Sequence, residues 1–200
     1  MEQNSHPTTL CVEKNSTKSE KNTSAKEVQW YVMRVTYQRE LMAHRALCDM
    51  GITSFVPTER VRRKKIGGGH CFREVAKLHN YIFIHTSAEE LGQIKTTTLP
   101  YLRYMMGKDE SGNPVKQFVP QKQMEDFIAV CQSEGATMLD ADGGLVVGDR
   151  VRILDGPLKG VEGIYTRTAT KGPKRVVVRI EGVAAVATIA LPAADVERVE

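Results

Sequence analysis

The chain has 200 residues, 41% hydrophobic and 26% charged, with a formal net charge of +4. That length holds one large domain or two small ones, and the composition is that of an ordinary globular protein. No apolar run approaches bilayer length and the first residues lack a secretory apolar core, so a cytoplasmic protein without a membrane partner is expected.

Charge is unevenly spread. Residues 60–77 carry seven Lys/Arg (Arg60, Arg62, Arg63, Lys64, Lys65, Arg73, Lys77) against Glu74, a local +6 that leaves −2 for the rest of the chain. Cys11, Cys48, Cys71 and Cys131 lie far apart with no C-x-x-C, which suggests neither a disulfide framework nor a zinc site. The five histidines have no metal-binding spacing, and there is no P-loop and no G-x-S-x-G. Asp140 and Asp142 fall in a stretch better suited to solvation than to acid–base work. The chain is read as a non-enzyme that needs no cofactor.

Residues 1–27 are rich in Asn, Ser, Thr, Lys and Glu and read as a disordered tail, because they cannot bury enough surface to offset ordering. Val28 to Tyr37 is apolar on both alternating faces, which predicts a central strand. Gln38 to Met50 has core spacing at Ala43, Ala46, Leu47 and Met50 and predicts a helix stopped by Gly51. Ile52 to Val61 predicts a strand interrupted at Pro57. Arg62 to Arg73 reads as a basic hairpin tip turning on Gly67-Gly68-Gly69. Glu74 to Thr86 is the next strand, and Ser87 caps a short helix over Ala88 to Lys95. Leu102 to Met106 is a fourth strand, Gly112-Asn113-Pro114 a turn, and Pro120 opens a helix running to about Ser133.

Gly135 to Gly144 lacks periodicity and reads as a linker. Beyond it come five short strands, 149–154, 161–167, 174–180, 184–190 and 195–199, spaced as in a small barrel. The string Gly148 to Gly163 contains a strand, a Gly156-Pro157 break and two further glycines at Gly160 and Gly163. It resembles the KOW motif of small barrels that bind RNA or protein.

The order β-α-β-β-α-β-α, linker, barrel resembles the NusG family. Trp30-Tyr31-Val32, Gly51-Ile52 with Phe55-Val56-Pro57-Thr58, Leu78 to Ile84 and Val119-Pro120 stand where that family has similar strings. The fold so implied is α+β, with a four-stranded antiparallel sheet flanked by helices (NGN-like) and a five-stranded SH3-like β-barrel (KOW). The implied domains are a tail at 1–27, a polymerase-binding domain at 28–134, a linker at 135–144 and the barrel at 145–200. Within the family the chain looks like a specialised paralogue, similar to RfaH or to the UpxY antiterminators of capsular polysaccharide operons.

The resemblance implies a monomeric factor that binds the clamp region of RNA polymerase through its N-terminal domain and promotes processive transcription. Carried over by position, the docking candidates are Leu78 and Tyr81, flanked by Trp30, Tyr31, Phe83 and Tyr104. Ordinary core packing is the alternative for each. Leu78-His79 stands where the family has Phe-Pro. Arg62, Arg63, Lys64 and Lys65 are candidate contacts to upstream or non-template DNA, because clustered cations release counterions from a phosphate backbone. Arg39, His44 and Arg45 on the first helix are candidate base readers, with a solvated helix face as the alternative. Gly156, Pro157, Leu158, Lys159 and Gly160 form the candidate loop through which the barrel recruits a ribosomal protein or a termination factor, with Leu158 at its tip the first contact expected and a side chain folded back onto the barrel the alternative. A KOW-type RNA-binding or ribosome-associated protein is the other functional reading.

Overall fold

The computed structural model describes residues 9–11, 27–108, 111–139, 148–167, 173–180, 182–188 and 190–199. Asp140, Asp142 and the 140–144 part of the expected linker lie outside the described residues, as do 1–8 and 12–26 of the expected tail. The chain divides into two compact units, Pro7–Pro120 and Gln121–Glu200.

The first unit holds β1 (Thr9–Cys11), β2 (Val28–Val35), α1 (Glu40–Asp49), β3 (Thr53–Val56), β4 (Thr58–Lys64), β5 (His70–Ala76), β6 (Tyr81–Ser87), α2 (Ala88–Thr97), β7 (Leu102–Tyr104), β8 (Met106–Lys108), β9 (Pro114–Lys116) and β10 (Phe118–Val119). Its sheet runs β1-β3-β6-β2-β10, and β7 also pairs with β2. Six strands replace the four expected. The additions are short: Thr9–Cys11 pairs antiparallel with β3, so that part of the expected tail is a strand, and Phe118–Val119 pairs with Tyr31 and Trp30.

β2 is central, laddered to β6 from Val28↔Ser87 to Arg34↔Tyr81. Strand alternation sends Tyr31, Met33, Val35, Ile82, Ile84 and Val56 to one face, where they join Ala43 and Leu47 of α1 and Leu91 and Ile94 of α2 in one core. Trp30, Val32, Phe55 and Phe83 project from the other face and are buried as well. α1 ends as the glycine predicts: Gly51 takes φ +75° and donates to Cys48 O, while Ile52 N donates to Leu47 O at 2.9 Å. At α2 the Ser87 Oγ accepts the Glu90 N–H at 3.2 Å. The stretch 52–61 is split at Pro57 into β3 and β4, and β4 leaves the main sheet to pair with β5 alone.

The second unit holds α3 (Gln121–Gln132), β11 (Thr137–Leu139), β12 (Asp149–Ile153), β13 (Glu162–Arg167), β14 (Lys174–Ile180), β15 (Ala184–Ala187), a 3-10 turn (Ala193–Asp195) and β16 (Val196–Arg198). Its antiparallel sheet runs β11-β15-β14-β13-β12-β16. The five predicted strands are present within a residue or three at each end. A sixth, β11, arises inside the expected linker and pairs with β15. Among the described residues the pairing order is a path of six strands whose ends, β11 and β16, do not pair with each other.

α3 is tied to this sheet by polar contacts. Lys122 Nζ donates to Gly160 O at 2.9 Å and pairs with Asp126 Oδ1 at 2.5 Å. Gln123 Nε2 donates to Arg179 O at 2.6 Å, and Asp126 Oδ2 accepts the Glu162 N–H at 3.2 Å.

Candidate functional site

The six docking candidates do not form one patch, because period-two alternation divides them. Tyr31 and Tyr104 belong to the helix-facing side, whereas Trp30, Tyr81 and Phe83 share the opposite one. Three are core residues. Trp30 is 4% exposed and stacks on His85 at 4.9 Å, Phe83 is 0% exposed beside Phe55, and Tyr31 is buried. Burial, then the nearby Glu27 charge and Tyr104, raise the Tyr31 pKa above its ordinary value. Tyr104 is half-buried, with Lys116 Nζ 4.4 Å and Lys95 Nζ 5.6 Å from its ring centroid. Trp30, Tyr31 and Phe83 thus take the core alternative, while Tyr104 and the ledge residues Leu78 and Tyr81 keep partial exposure.

Both ledge residues are half-buried, and their loop is rigidly specified. Lys77 N donates to Pro57 O at 2.8 Å. Asn80 takes φ +68°, a left-handed conformation that Asn tolerates better than most residues. Its carbonyl accepts the Val35 N–H at 2.8 Å, and its N–H donates to the buried Glu40 carboxylate at the start of α1. Arg34, directly across the ladder, places its guanidinium 6.0 Å from the Tyr81 ring centroid. The result is a partly exposed aromatic ring beside a cation.

The basic segment is the β4–β5 hairpin. Seven antiparallel pairs run from Thr58↔Ala76 to Lys64↔His70, and Gly67, Gly68 and Gly69 all take positive φ at the tip. Arg62, Arg63, Lys64 and Lys65 are exposed there. Pairing puts Arg60, Arg62, Lys64, His70, Phe72 and Glu74 on one face and Glu59, Val61, Arg63, Cys71, Arg73 and Val75 on the other. Phe72 was missed in the sequence, although counting the register outward from Gly67 sets it across from Arg62.

At α1 the three candidate readers part company. Arg45 is exposed. Arg39 sits between two rings, 5.5 Å from the Tyr37 centroid and 5.2 Å from that of Tyr101. Burial raises the Tyr101 pKa, and the Arg39 charge pulls against that. His44 is 2% exposed; its Nδ1 lies 2.8 Å from Ser54 Oγ, and its Nε2 lies 3.6 Å from Cys48 Sγ. It is an internal strut between α1 and β3, so a reading role for it is corrected. Burial holds its pKa below the ordinary value, helped by Arg45 and opposed by Glu74.

In the second unit the Gly156–Gly160 loop is compact. Asp155 Oδ1 accepts the Gly156 N–H at 2.7 Å, and Gly160 N donates to Ile153 O at 2.8 Å. Gly156 and Gly160 have φ +83° and +86°. Pro157 and Lys159 are exposed. Leu158 is 8% exposed and folds inward, which corrects its expected place as an outward contact. The remaining glycines of this string serve by size. A Cβ on Gly163 would lie 2.6 Å from Val177 O, and one on Gly148 2.5 Å from Tyr165 O. Beside them Arg152 pairs with Glu162 at 2.7 Å and Arg198 with Asp149 at 2.7 Å. The Arg152 hydrogen bond and charge hold Glu162 below the usual carboxylate range.

No cluster of metal-binding side chains occurs among the described residues, and no helix among them is long and apolar enough to cross a membrane. The first unit thus combines a sheet, a partly exposed Leu78 and Tyr81 and an exposed cationic hairpin. The family model described as transcription termination factor NusG matches residues 28–132, just over half of the sequence. The chain belongs to the NusG family, whose members are transcription factors acting in elongation and antitermination, not enzymes, and typically bind RNA polymerase. The solved structure titled "Domain interaction in Thermotoga maritima NusG" is similar at 18% identity and a TM-score of 0.42, over 88% of this chain and 100% of that one. No curated protein matches the chain.

Proposed function

We propose that this chain is a specialised elongation and antitermination factor, similar to RfaH and the UpxY antiterminators, acting on selected polysaccharide operons. Its first unit docks on the clamp region of RNA polymerase through Leu78 and Tyr81, with Arg34 at the margin. The β4–β5 hairpin leans on the upstream or non-template DNA strand, and the exposed residues Pro157 and Lys159 of the second unit's KOW-type loop recruit a ribosomal protein or a termination factor.

The observation that carries this reading is the ledge itself. A fully exposed loop would lose more entropy on docking, and a fully buried one would offer no surface. Leu78 and Tyr81 are partly exposed, Leu78 on a loop pinned by Glu40, Val35 and Pro57 and Tyr81 where that loop enters β6, which lowers the ordering cost of association. The factor shifts polymerase toward its processive state only by binding that state more tightly. The KOW-type RNA-binding reading gains less support, since Arg150, Arg152 and Arg198 are paired with carboxylates.

The test is co-purification with RNA polymerase and a transcription assay of pausing. The wild-type chain is expected to bind and to shorten pauses. Leu78→Ala combined with Tyr81→Ala is expected to weaken binding at least tenfold, as loss of an interface anchor worth about 2 kcal/mol does. Full binding by that double variant would remove the ledge from the proposal.

A further inference from the structure

The β4–β5 hairpin carries more than charge. Phe72 is 65% exposed, with Arg62 across the ladder, Arg60 and Lys64 diagonal to it, and His70 and Glu74 as its same-face neighbours along β5; the Glu74 carboxylate accepts the Thr58 hydroxyl at 2.8 Å. An exposed aromatic ring in such surroundings is out of place for a merely solvated hairpin, because the ring gains nothing from water and the cations do not hide it. The Arg60 guanidinium stands 5.7 Å from the ring centroid, and Arg62, directly across the ladder, donates from Nη2 to His70 Nδ1 at 3.0 Å. That bond ties Arg62 to the residue next to Phe72 on the same face, toward the tip. Lys64 continues the same face toward the tip. The other face has cations at Arg63 and Arg73 but no aromatic residue, so the two sides of one ribbon differ in kind.

We propose that the Arg60–Arg62–Lys64–His70–Phe72 face is a single-stranded DNA platform, on which Phe72 stacks an unpaired base while the arginines and Lys64 follow the phosphates. The proposal rests on the reading that the hairpin meets DNA and specifies the form of that DNA. In a duplex the bases are already stacked on one another, and the ring reaches a base plane only by prying a step apart. In an open strand each base offers a free π-face, and aromatic stacking is sequence-tolerant. The guanidinium over Phe72 leaves room for a base–ring–guanidinium sandwich.

The experiment measures binding of the full chain to a fluorescent oligodeoxythymidylate over a salt series. Phe72→Ala is expected to weaken binding about tenfold with an unchanged salt slope, the loss of one stacked base. Arg62→Ala is expected to lower the salt slope by about one unit, the loss of one phosphate contact. Phe72→Trp is expected to restore affinity, with fluorescence quenched by the oligomer beyond the wild-type signal of Trp30. Wild-type affinity in Phe72→Ala together with weakened binding in Arg62→Ala overturns the stacking platform and leaves the cationic contact standing. Wild-type affinity in both variants overturns the DNA reading of the hairpin as well. Equal binding to the matching duplex overturns the single-stranded assignment, and tighter binding to oligouridylate overturns DNA as the source.

Discussion

Glu40 ties the start of α1 to the loop that presents Leu78 and Tyr81, so its removal should be felt in both stability and docking. The side chain is 2% exposed, and its carboxylate accepts the N–H of Asn80, a residue already committed to positive φ. Arg39, at the N-cap position, supplies no side-chain cap, which leaves Glu40 as the acid of the first helical turn. Glu40→Ala loses a hydrogen bond to a charged acceptor, about 1.5–3 kcal/mol, and a favourable helix-dipole contact of about 0.3–1 kcal/mol. A total near 2–4 kcal/mol follows for the first unit. Glu40→Gln keeps an acceptor oxygen and should lose roughly half as much. Trp30 is the chain's single tryptophan and is buried in this unit's sheet, so its fluorescence follows this unit through a urea titration. The midpoint should fall by about 1–2 M urea for Ala. A midpoint within about 0.3 M of wild type, or Gln and Ala variants that unfold together, would refute the role given to the carboxylate.

Gly163→Ala drives a Cβ to 2.6 Å from Val177 O and 2.8 Å from Val176 Cγ1, and should cost about 3 kcal/mol, read as faster amide exchange along β13. Gly156→Ala, with open space around it and only φ +83° to resist, should cost about 1–2 kcal/mol. His44 has a folded pKa below its unfolded one, so below about pH 6.5 the unfolded chain takes up a proton that the folded chain resists. Its contribution is therefore complete above the unfolded pKa and is lost as pH falls toward the folded one, with a slope of at most about 1.4 kcal/mol per pH unit. Urea midpoints followed through Trp30 should decline with acidification in the wild type and flatten in His44→Gln; parallel pH profiles would show that His44 does not titrate in this way.

Features written in local chemistry were legible. Gly51 stopping α1, Pro57 breaking a strand, three glycines making a tip and Ser87 capping α2 each follow from one residue's own backbone or hydrogen-bonding preference. Three of the shortest strands were not legible. Thr9–Cys11, Phe118–Val119 and Thr137–Leu139 owe their extended form to partners far away in sequence, and carry too few residues to show a period. The candidate site divides in the same way. The basic hairpin and the Leu78–Tyr81 loop were visible as strings. The burial of His44 depends on Ser54 across the core, and that of Phe83 on a sheet face whose covering no local pattern announces. Leu158 looked outward because it sits in a turn, yet an apolar side chain beside Ile153 and Val161 has a nearer place to go.

The lacing of α3 to the C-terminal sheet decides where the chain can be cut. A fragment severed near residue 145 would strip away the donors to the carbonyls of Gly160 and Arg179 and the acceptor of the Glu162 amide, all of which come from α3. Proteolysis ahead of Gln121 would spare every one of them, and the longer piece is the one that should survive on its own.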